Sequence, residues 1–246
     1  MPLNATILKK LYVLQLSATT IPLPGGRTLE MSSGCYLIET NDGKHILIDS
    51  GMPADAVRPE GAPPSRNEKN VLGHLRDLKL RPDDIAMLVC THFDIDHCGY
   101  HDSFSNAELI VQREHYNIAR SGHSRFADAR HHWDHPSLRY RMVDGDTELV
   151  PGLTLLETSG HVPAHQSVLV RLPKTGPVLL AIDAVMLQRQ FTLDRQPWPK
   201  DYNHEQVVVS TRKLLDIVKH EHVALTIFGH DGLQWEQLKK APAFYD

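Results

Sequence analysis

One short segment of this chain places two histidines and two aspartates directly after an apolar run. The run Ala86–Cys90 predicts a buried strand, and the polar residues begin where that strand should end. Because side chains alternate along an extended chain, His92, Asp94 and Asp96 can point to one side, and His97 follows as the chain turns. Four such side chains are costly to bury unless a cation holds them. The segment therefore predicts a metal site at a strand end.

The composition is typical of a globular protein and argues against a nucleic-acid partner. The chain has 246 residues, of which 41% are hydrophobic and 23% charged, so we expect a single domain over residues 1–246. The formal net charge is -4 and no long basic run occurs, which argues against a nucleic-acid partner. No stretch approaches the roughly 20 apolar residues of a membrane span, and the N-terminus lacks a signal sequence. The three cysteines include no CxxC pair, so we expect neither a disulfide framework nor a thiolate zinc site, and we expect a cytoplasmic location.

The hydrophobic periodicity predicts many short strands and few helices. Strands are predicted at Leu11–Leu16, Cys35–Glu39, His45–Asp49, Ala86–Cys90, Glu108–Gln112, Leu153–Thr158, Ser167–Leu172, Val178–Ile182 and Val223–Phe228. Helices are predicted at Asn67–Leu80, Arg113–Ser121 and Asn203–Glu221, and Pro53–Arg66 is predicted to be a loop. Strands, a helix and a strand occur in that order twice, with a loop rich in His and Asp in each half. This order favours an α/β protein with two packed sheets and helices outside.

Three later strand ends also carry residues that bind metals. His161, Asp183 and His230 each follow an apolar run that is broken by glycine or a polar residue. If all these strand ends converge, the candidate ligands are His92, Asp94, Asp96, His97, His161, Asp183 and His230. That set suffices for two metal ions with positions open to water and substrate. Taken singly, each has a simpler explanation, since a lone histidine at a strand end is more often a hydrogen-bonded residue and Asp183 could cap a turn.

At these residues the chain resembles the metallo-β-lactamase superfamily, and most closely the N-acyl-homoserine-lactone lactonases, the quorum-quenching branch. Cys35–Thr40 and Leu47–Pro53 look like the opening hairpin of that family, and Gly160–Ser167 is similar to its GHxPGHQS loop. Val178–Ala184 and Phe228–Asp231 match its later ligand segments. The resemblance covers nearly the whole chain. It is more specific for the superfamily than for the lactonases, because the later segments recur in lactonases of other substrates.

The resemblance implies an αββα sandwich of two mixed β-sheets flanked by helices, with two divalent metal ions at the mouth between the sheets. It implies zinc as the first choice, with manganese or iron as alternatives, and a homodimer as a frequent assembly. The implied ligands form two groups that share Asp183 as a bridge: His92, the residue at position 94 and His161 for the first ion, and Asp96, His97 and His230 for the second. Asp49 would support the loop that carries ligands, and His165 would have a pocket, supporting or purely structural role.

Asp94 departs from the family pattern. The family motif is usually HxHxDH, whereas this chain has HxDxDH. An aspartate Oδ and a histidine Nδ1 both lie two bonds beyond Cβ, so Asp94 could ligate without a backbone shift. A third carboxylate would weaken the Lewis acidity of the ions and would tolerate manganese or iron better. Alternatively, Asp94 does not ligate and the first site is weak or empty.

Met186 is the second departure. Relatives commonly place a tyrosine three residues after the bridging aspartate, where it assists the substrate carbonyl or the leaving group. Methionine cannot donate a hydrogen bond. Another donor must then serve, with Tyr202 as one candidate, or the metals alone stabilise the oxyanion.

The first functional hypothesis is a metal-dependent lactonase. The resemblance implies that a hydroxide between the metals attacks the lactone carbonyl, with Asp183 bridging the ions and Asp96 transferring a proton as the ring alkoxide leaves. Some apolar and aromatic residues could line a pocket for an acyl chain or could belong to the ordinary core: Met31, Phe93, Phe126, Trp133 and Met186.

Two further hypotheses keep the same fold. One is an ester or thioester hydrolase of the glyoxalase-II-like branch, for which a basic patch would be needed and Arg113, Arg130 and Arg139 are the candidates. The other is a binding protein without catalysis, which the residues at 94 and 186 motivate. The segment His131–His135 is either a lid or a polar surface.

Overall fold

The structure is a computed structural model that describes residues 7–57, 60–66 and 69–246. Among these residues, the first β-sheet contains seven strands: β1 (Leu8–Pro22), β2 (Thr28–Thr40), β3 (His45–Ile48), β4 (Ser65–Arg66), β5 (Ile85–Val89), β6 (Glu108–Gln112) and β7 (Arg139–Val143). Their order across the sheet is β4-β1-β2-β3-β5-β6-β7. Strands β3, β5, β6 and β7 are parallel, and the pairs β1–β2, β1–β4 and β2–β3 are antiparallel.

The second sheet follows in the chain and is also mixed. Its described strands are β8 (Thr147–Val150), β9 (Leu153–Glu157), β10 (Gln166–Leu172), β11 (Gly176–Ile182) and β12 (Leu225–Phe228). They lie in the order β12-β11-β10-β9-β8, and only β11 and β12 pair in parallel among them. The described α-helices are α1 (Val71–Asp77), α2 (Ile95–Cys98), α3 (Arg113–Arg120), α4 (Arg130–Trp133), α5 (His204–His220) and α6 (Gly232–Gln237).

The main hydrophobic core lies between the two sheets. Ile48 and Val89 of the first sheet belong to the same buried cluster as Leu180 of the second. On the outer faces, α1 buries Leu75 against the first sheet and α5 buries Leu214 against the second. The predicted αββα sandwich of two mixed sheets is therefore confirmed. No described helix has the length and apolar character needed to cross a membrane.

Several elements differ from the sequence prediction. Strand β1 continues to Pro22, because a register shift between Gln15 and Ser17 lets it pair with β2 beyond the predicted end. Helix α1 begins after Asn70, whose side chain accepts a hydrogen bond from the Gly73 amide, and the predicted start at Asn67 lies outside the described residues. Strands β7 and β8 and helix α6 were not predicted. Strand β7 alternates charged and apolar residues, so only one face of it packs on the core.

The carboxyl ends of β3, β5, β11 and β12 carry the predicted site residues. Parallel neighbours end at the same edge of a sheet, so the residues after β3 and β5 lie together, as do those after β11 and β12. Three non-glycine residues near this edge have a positive φ: Asp49 after β3 at 59°, Ala164 between β9 and β10 at 49°, and Ile182 at the last position of β11 at 51°. Each such conformation costs about 1–3 kcal/mol. The fold therefore stores strain at the edge where the polar residues meet.

Candidate metal centre

A first group of donors lies where β5, β9 and β11 end. The ligand-type atoms of His92, His161 and Asp183 all lie within 4.8 Å of one another, and all three residues are buried. The shortest contact joins Asp183 Oδ2 to His161 Nε2 at 3.3 Å. The set of two imidazoles and a carboxylate is one that divalent zinc accepts.

A second group lies directly beside the first. The ligand-type atoms of Asp96, His97 and His230 also fall within 4.8 Å of one another. Asp183 faces this group too, since its Oδ1 lies 3.1 Å from His230 Nε2 and 3.5 Å from His97 Nε2. The structure thus brings together residues that are far apart in the chain, with Asp183 between the two groups.

The two groups contain polar atoms that no described residue satisfies. His92 Nε2, His97 Nε2 and Asp183 Oδ1 are buried and have no hydrogen-bond partner among the described residues. Burial opposes the charged form of His97, but the carboxylates of Asp183, Asp96 and Asp49 outweigh it and raise its pKa to about 10. The neighbouring carboxylates therefore favour a positive charge at His97. The donor set fits divalent cations, which would satisfy the same atoms without protons.

Asp49 orients His97, one member of the second group. Its Oδ2 accepts hydrogen bonds from His97 Nδ1 at 2.8 Å and Thr91 Oγ1 at 2.7 Å, and its Oδ1 accepts one from the Thr91 amide at 2.8 Å. This arrangement leaves His97 Nε2 directed towards the site. His230 is fixed in the same way, because its Nδ1 donates to the Ser32 carbonyl at 2.8 Å. The geometry agrees with the supporting role that was expected for Asp49.

His161 is oriented by Asp201, a residue that the sequence analysis did not single out. Asp201 Oδ1 accepts a hydrogen bond from His161 Nδ1 at 3.1 Å, so His161 presents Nε2 to the first group. The Tyr202 amide donates to the His161 carbonyl at 3.1 Å, which fixes the loop before α5 against the loop that carries His161. Asp201 lies in a polar loop without local periodicity, so no sequence pattern pointed to it.

Asp94 lies beside the first group and is paired with Arg125. Its Oδ2 is 3.2 Å from His161 Nε2 and 3.6 Å from His92 Nε2. Arg125 donates to both carboxylate oxygens, from Nε to Oδ1 at 2.7 Å and from Nη2 to Oδ2 at 2.6 Å. Burial opposes ionisation of Asp94, but the hydrogen bonds from the Arg125 guanidinium outweigh it and hold the pKa of Asp94 well below the usual value. The sequence offered one signal for Arg125, namely the extra negative charge at position 94.

Two buried histidines outside the ligand groups hold the loops in place. His165 Nδ1 lies 2.9 Å from Thr158 Oγ1, and its Nε2 accepts a hydrogen bond from the Asp183 amide at 3.3 Å. His165 therefore holds the backbone of Asp183 in place. His115 Nε2 accepts a hydrogen bond from the Phe93 amide at 2.9 Å, and His115 Nδ1 donates one to the Pro163 carbonyl at 2.8 Å. His165 thus has the supporting role that was one of the alternatives, and His115 was missed.

The residues considered for an acyl pocket separate into two sets. Phe93, Phe126 and Trp133 are buried in one cluster, in which the Phe93 and Trp133 rings stack with 4.5 Å between their centroids. These three residues therefore belong to the core next to the loop that follows β5. Met186 is also buried. Met31 is partly exposed and lines an open cleft of about 270 Å³, which adjoins the site through Ser32.

The remaining predicted features lie at the periphery. The Tyr202 side chain is 60% exposed, and nothing in the structure directs its hydroxyl to the donor groups. In the His131–His135 segment, His131 and His132 contact Asp55 at 3.0 and 3.2 Å, which connects α4 to the loop after β3. These two histidines thus lie on a polar surface next to the loop after β3, whereas Trp133 of the same segment is buried, and a lid role stays a prediction.

Gly229 approaches the centre so closely that a side chain there should disturb it. A Cβ at this position would lie 2.5 Å from the Ile182 carbonyl oxygen and 2.9 Å from Asp183 Oδ1. We expect Gly229→Ala to displace Asp183, to lower the free energy of unfolding by about 1–3 kcal/mol and to reduce the metal content. Chemical denaturation and elemental analysis measure these two effects.

Gly73→Ala in α1 is the matched control for Gly229→Ala. Its Cβ would meet the flexible Lys69 side chain at 3.0 Å and Asn70 Oδ1 at an ordinary contact distance of 3.4 Å, and alanine favours a helix. We expect unchanged metal content and equal or higher stability for this variant. If Gly229→Ala behaved like Gly73→Ala, the close approach to Asp183 would be unimportant.

Comparisons with known proteins extend over almost the whole chain. A profile of the metallo-beta-lactamase superfamily matches residues 30–230. The N-acyl homoserine lactonase AiiA of Bacillus thuringiensis subsp. kurstaki is 33% identical over 254 aligned residues, which cover 96% of this chain and 98% of AiiA. AttM of Rhizobium radiobacter, also an N-acyl homoserine lactonase, is 33% identical over 235 residues, which cover 85% of this chain and 86% of AttM.

Solved structures of such enzymes superpose on this one. A quorum-quenching N-acyl homoserine lactone hydrolase aligns with a TM-score of 0.86 and 32% identity, covering 98% of this chain and 100% of the other. An N-acyl homoserine lactone hydrolase with the product N-hexanoyl-L-homoserine at its catalytic metal centre aligns with a TM-score of 0.84 and 29% identity, covering 97% of this chain and 100% of the other.

Proposed function

This chain belongs to the metallo-β-lactamase superfamily, and from that premise we propose that it is a metal-dependent lactonase that opens the ring of N-acyl-homoserine lactones. The observation that carries the proposal is the pair of donor groups around Asp183, in which the buried Nε2 atoms of His92 and His97 have no hydrogen-bond partner among the described residues. Relatives with this activity align over nearly their full length.

The donor groups are proposed to hold two divalent ions, with zinc as the first choice and manganese or iron as alternatives. When bound, such ions supply a nucleophilic water at neutral pH and polarise the substrate carbonyl. The first ion would be held by His92, His161 and the residue at position 94, and the second by Asp96, His97 and His230. Asp183 would be shared by both ions.

Asp96 and Asp183 are proposed to have different catalytic roles because their exposure differs. The Asp96 side chain is 28% exposed, and its Oδ2 lies 3.8 Å from both His97 Nε2 and His230 Nε2. It can therefore reach the leaving oxygen of the opened ring and transfer a proton to it. The Asp183 side chain is only 5% exposed and lies between the groups, which suits a fixed bridge.

The proposal is tested by following acid release from N-acyl-homoserine lactones of different chain lengths, with mass spectrometry of the ring-opened product. We expect metal-dependent turnover that a chelator abolishes and added zinc restores. The absence of turnover above the metal-free background on every lactone would overturn the proposal.

The thioester hydrolase is less well supported than the lactonase. Arg113 pairs with Asp144 and Arg130 pairs with Asp134, while Arg139 donates to the Asn106 carbonyl. These three arginines thus form separate contacts and not a basic patch for glutathione. Comparing thioester with lactone turnover separates the two activities. A cytoplasmic location and a homodimer stay predictions.

A further inference from the structure

We infer that the guanidinium of Arg125 is a built-in competitor of the first metal ion, so that the two metal sites fill in sequence and the second site fills first. The inference rests on the metal centre of the proposed function, but not on the identity of the substrate. It concerns an arginine that the family resemblance does not assign.

A single nitrogen of Arg125 contacts two of the expected ligands of the first ion. Nη2 lies 2.6 Å from Asp94 Oδ2 and 2.8 Å from His161 Nε2, and these two acceptor atoms are 3.2 Å apart. An ion bound by both atoms would lie about 2 Å from each of them. Nη2 already hydrogen-bonds with these two atoms, so an ion that used both of them would compete with the guanidinium.

The lone pair of His161 gives a second reason for exclusion. Because His161 Nδ1 donates to Asp201, Nε2 presents one lone pair to the site. That lone pair can accept a hydrogen bond from Arg125 or bind an ion, but it cannot do both. Binding of the first ion therefore requires Arg125 Nη2 to move away from His161 and from Asp94.

Arg125 is held firmly enough to compete. Its Nη1 donates to the Lys200 carbonyl at 2.6 Å and to the His161 carbonyl at 3.2 Å, and its side chain is only 22% exposed. Arg125 lies on a short 3-10 turn that also contains the buried Phe126. The Phe126 backbone carbonyl accepts a hydrogen bond from Trp133 Nε1 at 3.0 Å, which fixes the turn. The guanidinium makes two charge-assisted hydrogen bonds with the Asp94 carboxylate, and such bonds are stronger than those between neutral groups.

The second group has no such competitor. Among the described residues, Asp96 pairs only with His97 and His230, and no lysine or arginine pairs with either histidine. Asp183 also faces this group. The carboxylate of the second site thus pairs only with imidazoles that would themselves bind the ion, whereas the carboxylate that is peculiar to the first site is paired with the fixed guanidinium of Arg125.

The test is a zinc titration of the purified protein after its metal has been removed. Bound zinc is measured by elemental analysis at buffered free zinc concentrations, for the unchanged protein, Arg125→Met, Arg125→Lys and Arg130→Met. Arg130 is an exposed arginine that pairs with Asp134, so Arg130→Met is the matched control. Circular dichroism confirms that each variant is folded.

We expect the unchanged protein to bind two zinc equivalents in two separate steps. In Arg125→Met the weaker step should tighten by on the order of tenfold or more, the size expected for removing a charge-assisted hydrogen bond that the ion must break. The tighter step should stay unchanged. Arg125→Lys, which keeps the charge, should keep the weaker step weak, and Arg130→Met should match the unchanged protein.

Two equal steps in the unchanged protein, no bound zinc, or a weaker first site in Arg125→Met would each overturn the inference. The last result would mean that Arg125 positions Asp94 as a ligand. Lactone turnover measured on the same samples keeps the two proposals apart. If the two steps behaved as expected and no lactone were hydrolysed, the proposed substrate would be wrong and the inference on Arg125 would stand.

Discussion

Asp183→Ala is expected to abolish lactone hydrolysis and to release bound metal. Asp183 is the only described residue whose oxygens face both donor groups, at 3.3 Å from His161 Nε2 and 3.1 Å from His230 Nε2. If Asp183 bridges two ions as proposed, its removal would take one ligand from each ion and leave buried imidazoles without their counter-charge. We expect kcat/KM to fall by roughly 100-fold or more, since even the loss of a group that only supports a ligand costs about 10–100-fold. Kinetics and elemental analysis of the dialysed protein measure both effects.

Two further variants make the Asp183 experiment specific. Asp183→Asn keeps the shape of the side chain and removes its charge, so it should also lose metal while unfolding at a temperature closer to that of the unchanged protein. Asp216→Ala removes an exposed aspartate of α5 and should leave both metal content and turnover intact. Full metal retention in Asp183→Asn would show that the charge of the bridge is not needed.

Asp49→Ala is expected to weaken both the metal centre and the fold. This buried carboxylate accepts three hydrogen bonds, from His97 Nδ1, from the Thr91 amide and from the Thr91 hydroxyl. Without it, each buried donor that stays unpaired costs about 1–3 kcal/mol. His97 would also lose its orientation, which is expected to lower the affinity of the second site by about 10–100-fold.

A zinc titration and a denaturation curve separate the two effects of Asp49→Ala. The second site, whose His97 bonds directly to Asp49, should weaken more than the first site, which Asp49 reaches only through the Thr91 hydroxyl beside His92 Nδ1. Asp49→Asn retains acceptor capacity towards Thr91 and should recover part of the stability, but less of the zinc affinity. Equal weakening of both sites would indicate general unfolding of the edge and would contradict a specific role in orienting His97.

Much of the centre was predictable because its ligands follow strands that are easy to recognise. Alternation after Ala86–Cys90 indicated His92 and Asp96, and apolar runs led to His161, Asp183 and His230. These residues depend on local periodicity, which a single sequence displays. The sandwich fold followed from the order of strands and helices together with the family resemblance.

The residues that tune the centre were not predictable in the same way. Arg125 lies on a short turn and Asp201 in an irregular loop, and each meets its partner through tertiary packing across 31 and 40 positions of the chain. Strand β7 was missed because its charged residues alternate on an outer face. Phe93 was a candidate for the acyl pocket, but the structure places it in the core, since an aromatic residue beside a ligand can turn towards either side.

The candidate ligands come from both sheets, and this origin has a consequence for the lifetime of the protein. His92 and His97 follow a strand of the first sheet, whereas Asp183 and His230 follow strands of the second. Bound ions would therefore connect the two sheets at this edge. A ligand present at roughly 100 times its dissociation constant raises the free energy of unfolding by about 2.7 kcal/mol. Metal scarcity would then expose the enzyme to proteases as well as slow it, so that supply of the ion would govern how long each copy persists.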